Sequence, residues 1–166
     1  MIFDDLQAGA SVFLDANIPI YHFTNHAKYG APCTRLLERI ENQEIQGFTI
    51  AHSLADVAHR VMTIEAMGRF TWPATGLAAR LKKHHAEIPN LRLYQQATAK
   101  VSQLGIQVLS VTENLVLAAT NVSEQFELLT GDALIAAAMH QQGLAKLASD
   151  DADFDRVAGI TRYAPV

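Results

Sequence analysis

The sequence predicts an α/β fold: a central, mostly parallel, twisted sheet of four to five short strands with helices on both faces. Two observations lead there. Short apolar runs rich in β-formers alternate with segments whose apolar residues recur at helical spacing, the order that builds parallel sheets by strand–helix–strand crossovers. The chain also has 166 residues, 49% of them hydrophobic and 18% charged, enough to bury a core without disulfide or metal staples. No internal repeat, low-complexity stretch or linker divides it, so one domain over residues 1–166 is expected.

Residues 11–15 (SVFLD) read as a buried first strand ending on an acid. Asn17-Ile18-Pro19 leads into a helix, Pro being tolerated in a first turn. Gly30-Ala31-Pro32 breaks the chain, after which Leu36, Leu37 and Ile40 mark a helix with a charged outer face. Gly47 opens a second strand over 48–51. Ser53 is placed to cap the next helix, whose core face is Leu54, Val57, Ala58 and Val61, with Asp56, Arg60 and Thr63 on another face. Residues 65–95 are the least regular and suggest one or two helices with loops, which could form a cap, a flap or a dimer contact. Residues 95–104 read as a helix stopped by Gly105.

Residues 106–111 (IQVLSV) form a third predicted strand. Thr112 caps a helix with Leu115, Ala118, Ala119 and Val122 inward. Asp132 falls at a helix start, Leu134, Ile135, Ala138 and Met139 form that helix's buried stripe, and Gly143 closes it. Residues 146–149 give a fourth strand, followed by Asp150, Asp151 and Asp153. Residues 160–163 suit an edge strand.

Thirteen basic and 17 acidic residues leave a net charge of −4. That argues against a protein that coats DNA with positive charge, though a local basic patch would suffice for nucleic acid. A single cysteine, Cys33, excludes an intrachain disulfide and a structural zinc site built on thiolates, and points to a reducing compartment. MIFDDLQAGA lacks a basic region followed by an apolar stretch, so no signal peptide is expected, and no apolar run approaches ~18 residues. A cytoplasmic protein without a membrane span is the expectation.

In open α/β sheets ligands bind beyond the carboxyl ends of the strands. Asp15, Asp56, Asp132 and the Asp150/Asp151/Asp153 group all fall near such ends. Two unit charges ~4 Å apart repel by about 4 kcal/mol at an effective dielectric of ~20, so clustered carboxylates need protons or cations. Mg²⁺ and Mn²⁺ prefer carboxylate oxygens and water, and a pair of such ions ~4 Å apart suits phosphodiester displacement. The alternatives stay open at this point. Asp132 suits a helix cap, Asp56 an ion pair with Arg60, and Asp150 and Asp153 solvated turns. Asp15 is the hardest to explain away, because a charge ending a buried strand is costly unless satisfied.

Four segments resemble one known family in order and spacing over nearly the whole chain: FLDANIPIYHF, HSLADVAHR, LLTGDALIAAAMHQQG and LASDDADFDRVAGI. They are similar to the motifs of PIN-domain nucleases, and within them to the VapC-like toxins of toxin–antitoxin pairs. The resemblance implies a PIN-like three-layer fold and a metal-dependent endoribonuclease. Asp15, Asp56, Asp132 and Asp151 match its acids and Asp153 an additional one, while Asn17 and Ser53 match its flanking polar residues. It further implies Mg²⁺ or Mn²⁺, an RNA substrate, an antitoxin partner and a homodimer. Three positions depart from the family pattern: Asp56 stands for the usual Glu, Ala16 for Thr or Ser, and Gly131 for Asn; set beside compact members, residues 65–95 form a longer helical insertion.

Other residues carry a functional and a plain reading together. Arg60 could neutralise the acids or contact phosphate, and His59 could touch substrate, though both also suit an exposed helix face. Lys82-Lys83-His84-His85 could hold a phosphate backbone or simply face solvent. Trp72 could stack on a base or pack internally. Cys33 reads as a small buried hydrophobe. Two rival functions are a PIN-like binding module with weak or lost activity, motivated by Asp56 and Ala16, and a phosphate-handling receiver. The receiver requires an acidic neighbour beside Asp15, which the sequence lacks.

Overall fold

The computed structural model describes residues 1–166. Five strands, β1 (Ser11–Leu14), β2 (Gln46–Ile50), β3 (Gln107–Leu109), β4 (Lys146–Ala148) and β5 (Thr161–Tyr163), form one sheet in the order β3-β2-β1-β4-β5. Every neighbouring pair is parallel, so the sheet is wholly rather than mostly parallel. The helices are α1 (Asn17–Phe23), α2 (Gly30–Glu41), α3 (Ala51–Phe70), α4 (Leu77–Lys83), α5 (Leu93–Gln103), α6 (Glu113–Phe126) and α7 (Thr130–Gln142). None is long and apolar enough to cross a membrane.

The two-residue period of β1 shows how three layers arise. Val12 and Leu14 join a core with Leu36, Leu37 and Ile40 of α2 and Val101 of α5. Phe13 points the other way, into a core with Leu115 and Ala119 of α6 and Ala133 to Met139 of α7. A strand buried on both faces must be apolar throughout, which is why SVFL reads as a run and not an alternation. Gly47 in β2 lies beneath α2: a Cβ there would stand 2.9 Å from the Ile40 side chain and 3.2 Å from that of Ile106. Two smaller clusters extend the α2 side. Val57 and Val61 of α3 pack on Ala97 of α5, and Ala66 of α3 on Leu81 and Leu91.

The chain departs from expectation in several places. Gly30-Ala31-Pro32 is no break but the first turn of α2, where a proline's missing N–H costs nothing. β2 stops at Ile50, and Ala51 already belongs to α3, so Ser53 sits inside the first turn and caps nothing. Its buried hydroxyl has no hydrogen-bond partner. Thr63 is buried and Ala118 exposed, against their expected faces. In α7 every residue from Ala133 to Met139 is buried, not only one stripe. The helix lies between sheet and α6, and its alanines permit close approach from both sides. Thr112 does cap α6, accepting from the Leu115 amide at 3.2 Å.

Strands β2 and β3 were added on one side of β1 and β4 and β5 on the other. The chain therefore reverses its winding between β1 and β4. That switch point opens a crevice beyond the carboxyl ends of these two strands.

Candidate active site at the β1–β4 switch point

Asp15 is the first residue past β1, and its amide still donates to the Ala148 carbonyl of β4 at 3.0 Å. Its side chain projects into the crevice with both neighbours arranged around it. The Ser149 hydroxyl donates to Asp15 Oδ2 at 2.6 Å, and the Asn17 amide donates to the same oxygen. Asn17 Nδ2 also reaches Ser149 Oγ at 3.2 Å, and the Asp151 amide donates to that oxygen at 3.0 Å. A hydroxyl has one donor and two acceptor positions, and the wholly buried Ser149 uses all three. It thereby ties the loop after β1 to the loop after β4. A hydrogen bond from the Asp150 amide to Asn17 Oδ1 at 3.4 Å closes the same ring.

Burial pushes the Asp15 carboxyl up to about 6, with hydrogen bonds from Ser149 and the Ala16 backbone opposing and the charges of Asp132 and Asp151 adding to the rise. Asp132, third residue of α7, is raised first by burial and then by Asp151, Asp153 and Asp56, while Arg156 opposes. Asp15, Asp132 and Asp151 therefore share one field although they come from three elements. Asp132 makes no capping hydrogen bond, so the plain helix-cap reading has no contact behind it. Asp151 caps the 3-10 turn Ala152–Arg156 through the Asp153 amide at 2.8 Å. Asp153 lies at the rim, ion-paired with Arg156 at 3.3 Å. Asp150 is no free turn residue, since the Tyr21 hydroxyl donates to it at 3.0 Å.

Asp56 is the outlier. Its side chain is 55% exposed and meets the His52 imidazole at 3.5 Å, not Arg60. Arg60, one turn on, is exposed and forms no ion pair with any acid, and His59 is likewise exposed. His52 Nε2 lies 3.5 Å from where a Cβ on Gly131 would stand, so the imidazole spans from α3 to the start of α7. A Cβ at 131 would make only ordinary van der Waals contact with that ring. Sequence reasoning missed His52, Ser149 and Arg156. The signal that exposed Asp15, a polar residue ending a buried apolar strand, applies equally to Ser149 in KLAS.

No three Asp, Glu, His or Cys side chains stand close enough to enclose a bare ion. The donors facing the crevice are nonetheless carboxylate oxygens, and Asp15 carries a carboxyl whose charge lacks a cationic partner in direct contact. Mg²⁺ retains several waters and takes one or two carboxylates, so this open oxygen set fits a hydrated divalent ion. Cys33 is buried in the α2 core, its thiol pushed up to about 12 by burial, and offers no soft ligand. Replacing Ser149 with Ala removes the clamp on Asp15 and leaves the Asp151 amide unpaired. If Asp15 ligates a divalent ion, a 10- to 100-fold loss of metal affinity is expected from isothermal titration, roughly the usual cost of losing a ligand's orienting partner.

The sequence model of the PIN domain matches residues 12–160. The chain belongs to the PIN domain family. Its four acid-bearing segments all lie within the matched span. The Ribonuclease VapC2 of Methanocaldococcus jannaschii is 26% identical over 146 residues, covering 88% of each chain. Of solved structures, the sarcin–ricin-loop-cleaving toxin VapC20 of Mycobacterium tuberculosis superposes with a TM-score of 0.62 at 18% identity, covering 90% of this chain and 96% of that one. A VapBC2 structure of Rickettsia felis, bound to a fragment of promoter DNA, gives 0.56 at 13% identity over 93% and 98%. These likenesses agree with the three-layer PIN architecture built above.

Proposed function

We propose that this chain is a divalent-metal-dependent endoribonuclease and the toxin of a toxin–antitoxin pair. The observation that carries the reading is the convergence of Asp15, Asp132 and Asp151 from three elements on the crevice between β1 and β4. Asp15 is held in one orientation by Ser149 and Asn17, as a central ligand of Mg²⁺ or Mn²⁺ requires. Asp132 and Asp151 complete the inner acids. Asp153 and the exposed Asp56 act from the rim, with His52 orienting Asp56. Ser53 belongs to the same first turn of α3, and its unpartnered hydroxyl suits an ordered water. Arg60, exposed and without an acid partner, is free to meet substrate. When bound, the metal would supply an activated water and neutralise charge developing on the scissile phosphate.

The curated relative named a ribonuclease supports RNA as substrate, and a toxin–antitoxin complex of Klebsiella pneumoniae, with a TM-score of 0.56, supports an antitoxin partner. The exposed Val116 and Leu117 of α6 and Leu129 before α7 offer apolar surface for a homodimer or antitoxin contact. Purified protein incubated with RNA and Mn²⁺ or Mg²⁺ should give products with 5′-phosphate ends, and excess EDTA should stop the reaction. Absence of cleavage with every divalent metal rejects the enzyme. In that case retained RNA binding would favour a PIN-like binding module, the reading that the exposed Asp56 supports.

A further inference from the structure

The far end of α3 carries a second cluster of charge with no role in the acid site. Between residues 66 and 86 the chain has Arg69, Arg80, Lys82 and Lys83 and not one acid, whereas the other nine basic residues share the chain with all 17 acidic ones. None of these four cations forms an ion pair. α4 folds back on α3 through Leu81 and Ala66, with Phe70 and Trp72 packed against them. This docking sets a cleft of ≈ 350 Å³ lined by Thr75, Gly76, Ala79, Arg80, Lys83 and His84. Five of those six residues offer a hydroxyl, a cation, an imidazole or bare backbone.

Arg80 distinguishes this cleft from an ordinary solvated helix face. Its Nε is buried and donates to nothing. Its guanidinium lies over the Trp72 ring, 5.9 Å from the centroid, and the His84 ring centroid stands 5.4 Å from that of Trp72. Nε is shut off from solvent, so the two terminal nitrogens of this partly buried, aromatic-backed guanidinium are the ones left to meet a phosphate, which accepts from guanidinium in bidentate fashion. An acidic protein that binds RNA needs such a local positive site.

We infer that the Arg80–Lys83–His84 cleft is a second RNA-backbone site, one that grips a phosphate several nucleotides from the bond cut at the acids. Asp56 and Phe70 are separated by 14 residues of α3, roughly 20 Å at ~1.5 Å per residue. A stacked strand advancing ~3.4 Å per nucleotide covers that distance in about six nucleotides. The site therefore selects for RNA length and not for sequence. The inference rests on the ribonuclease reading only for the identity of the strand. The chemistry of the cleft would equally take an acidic peptide, which the experiment separates.

The test uses the full chain carrying Asp15→Asn, so that RNA is bound and not cut, with anisotropy of labelled 4-mer and 20-mer RNA at several salt concentrations. Lys83→Glu, at an exposed position, should weaken 20-mer binding about tenfold and lower the salt slope by ~0.7 for one lost phosphate contact on a single strand. Arg80→Gln should do the same. The 4-mer, too short to reach the cleft, should bind each variant and its parent alike. Unchanged 20-mer affinity in Lys83→Glu, or an equal loss for both lengths, overturns the inference. So does displacement of the 20-mer by a poly-glutamate 20-mer at matching concentration. Failure of the ribonuclease reading looks different: the parent chain with Asp15 restored cuts no RNA, whatever residue 83 is.

Discussion

Asp15→Asn is expected to abolish metal-dependent RNA cleavage, lowering kcat by on the order of 10³-fold or more, with the fold intact. The size follows from what Asp15 does in the proposed site. It is the acid nearest the switch point, and two hydrogen bonds fix its carboxylate. An amide keeps the acceptor oxygen for Ser149 and Asn17 but loses the charge that would hold a hard cation. Loss of an activated water and of charge stabilisation at the phosphate each contributes several kcal/mol to a barrier, and about 1.4 kcal/mol corresponds to tenfold in rate. The check is initial-rate cleavage of a labelled RNA with saturating Mn²⁺, alongside circular dichroism to confirm folding. Cleavage by the variant within tenfold of the parent would falsify the assignment of Asp15 as the central ligand.

Asp15 was legible in the sequence because its signal is local. A charge that closes a buried apolar strand needs an explanation wherever the strand sits in the fold. A mostly parallel sheet, α6 with its Thr112 cap and the closure of α7 by Gly143 were legible for the same reason, since period and punctuation are encoded over a few residues. What escaped depends on tertiary neighbours. Asp56 can pair with a partner four residues before or after it, and spacing does not choose between them; in the fold the partner is His52, whose ring lies beside Gly131 of α7. The Ser149–Asp15 clamp joins residues 134 apart. The full burial of α7 was hidden because Ala133, Ala136 and Ala137 contribute little to a hydrophobic stripe, yet they are what lets sheet and α6 both close on the helix. The Arg80 cleft is likewise a product of α4 docking on α3. KKHH alone distinguishes no phosphate site from a solvated surface.

The metal-free protein should lose stability as pH rises from about 4 to about 6, and Asp15 is the residue responsible. An unfolded aspartate titrates near ~3.9, whereas burial holds the folded Asp15 carboxyl at about 6. Below the unfolded value both states are protonated and the site costs nothing. Between the two values the unfolded chain releases its proton and the folded chain does not, so folding is progressively disfavoured. Above about 6 the penalty is complete, amounting to at most roughly 3 kcal/mol, with Asp132 adding in the same direction. Asp15→Asn should flatten this slope and raise the melting temperature at pH 7 in EDTA. A bound divalent cation acts on the same charge, so Mn²⁺ should raise the melting temperature of the parent at pH 7 and do so less at pH 5, where protons compete for Asp15. At a free concentration ~100 times Kd the gain is about 2.7 kcal/mol. Calorimetric scans of parent and Asp15→Asn at both pH values, with and without Mn²⁺, separate these contributions. An Asp15→Asn protein less stable than its parent at pH 7 without metal would show that the buried carboxylate is compensated by the Ser149–Asn17 cradle. The acid cluster would then carry no strain for a metal to relieve.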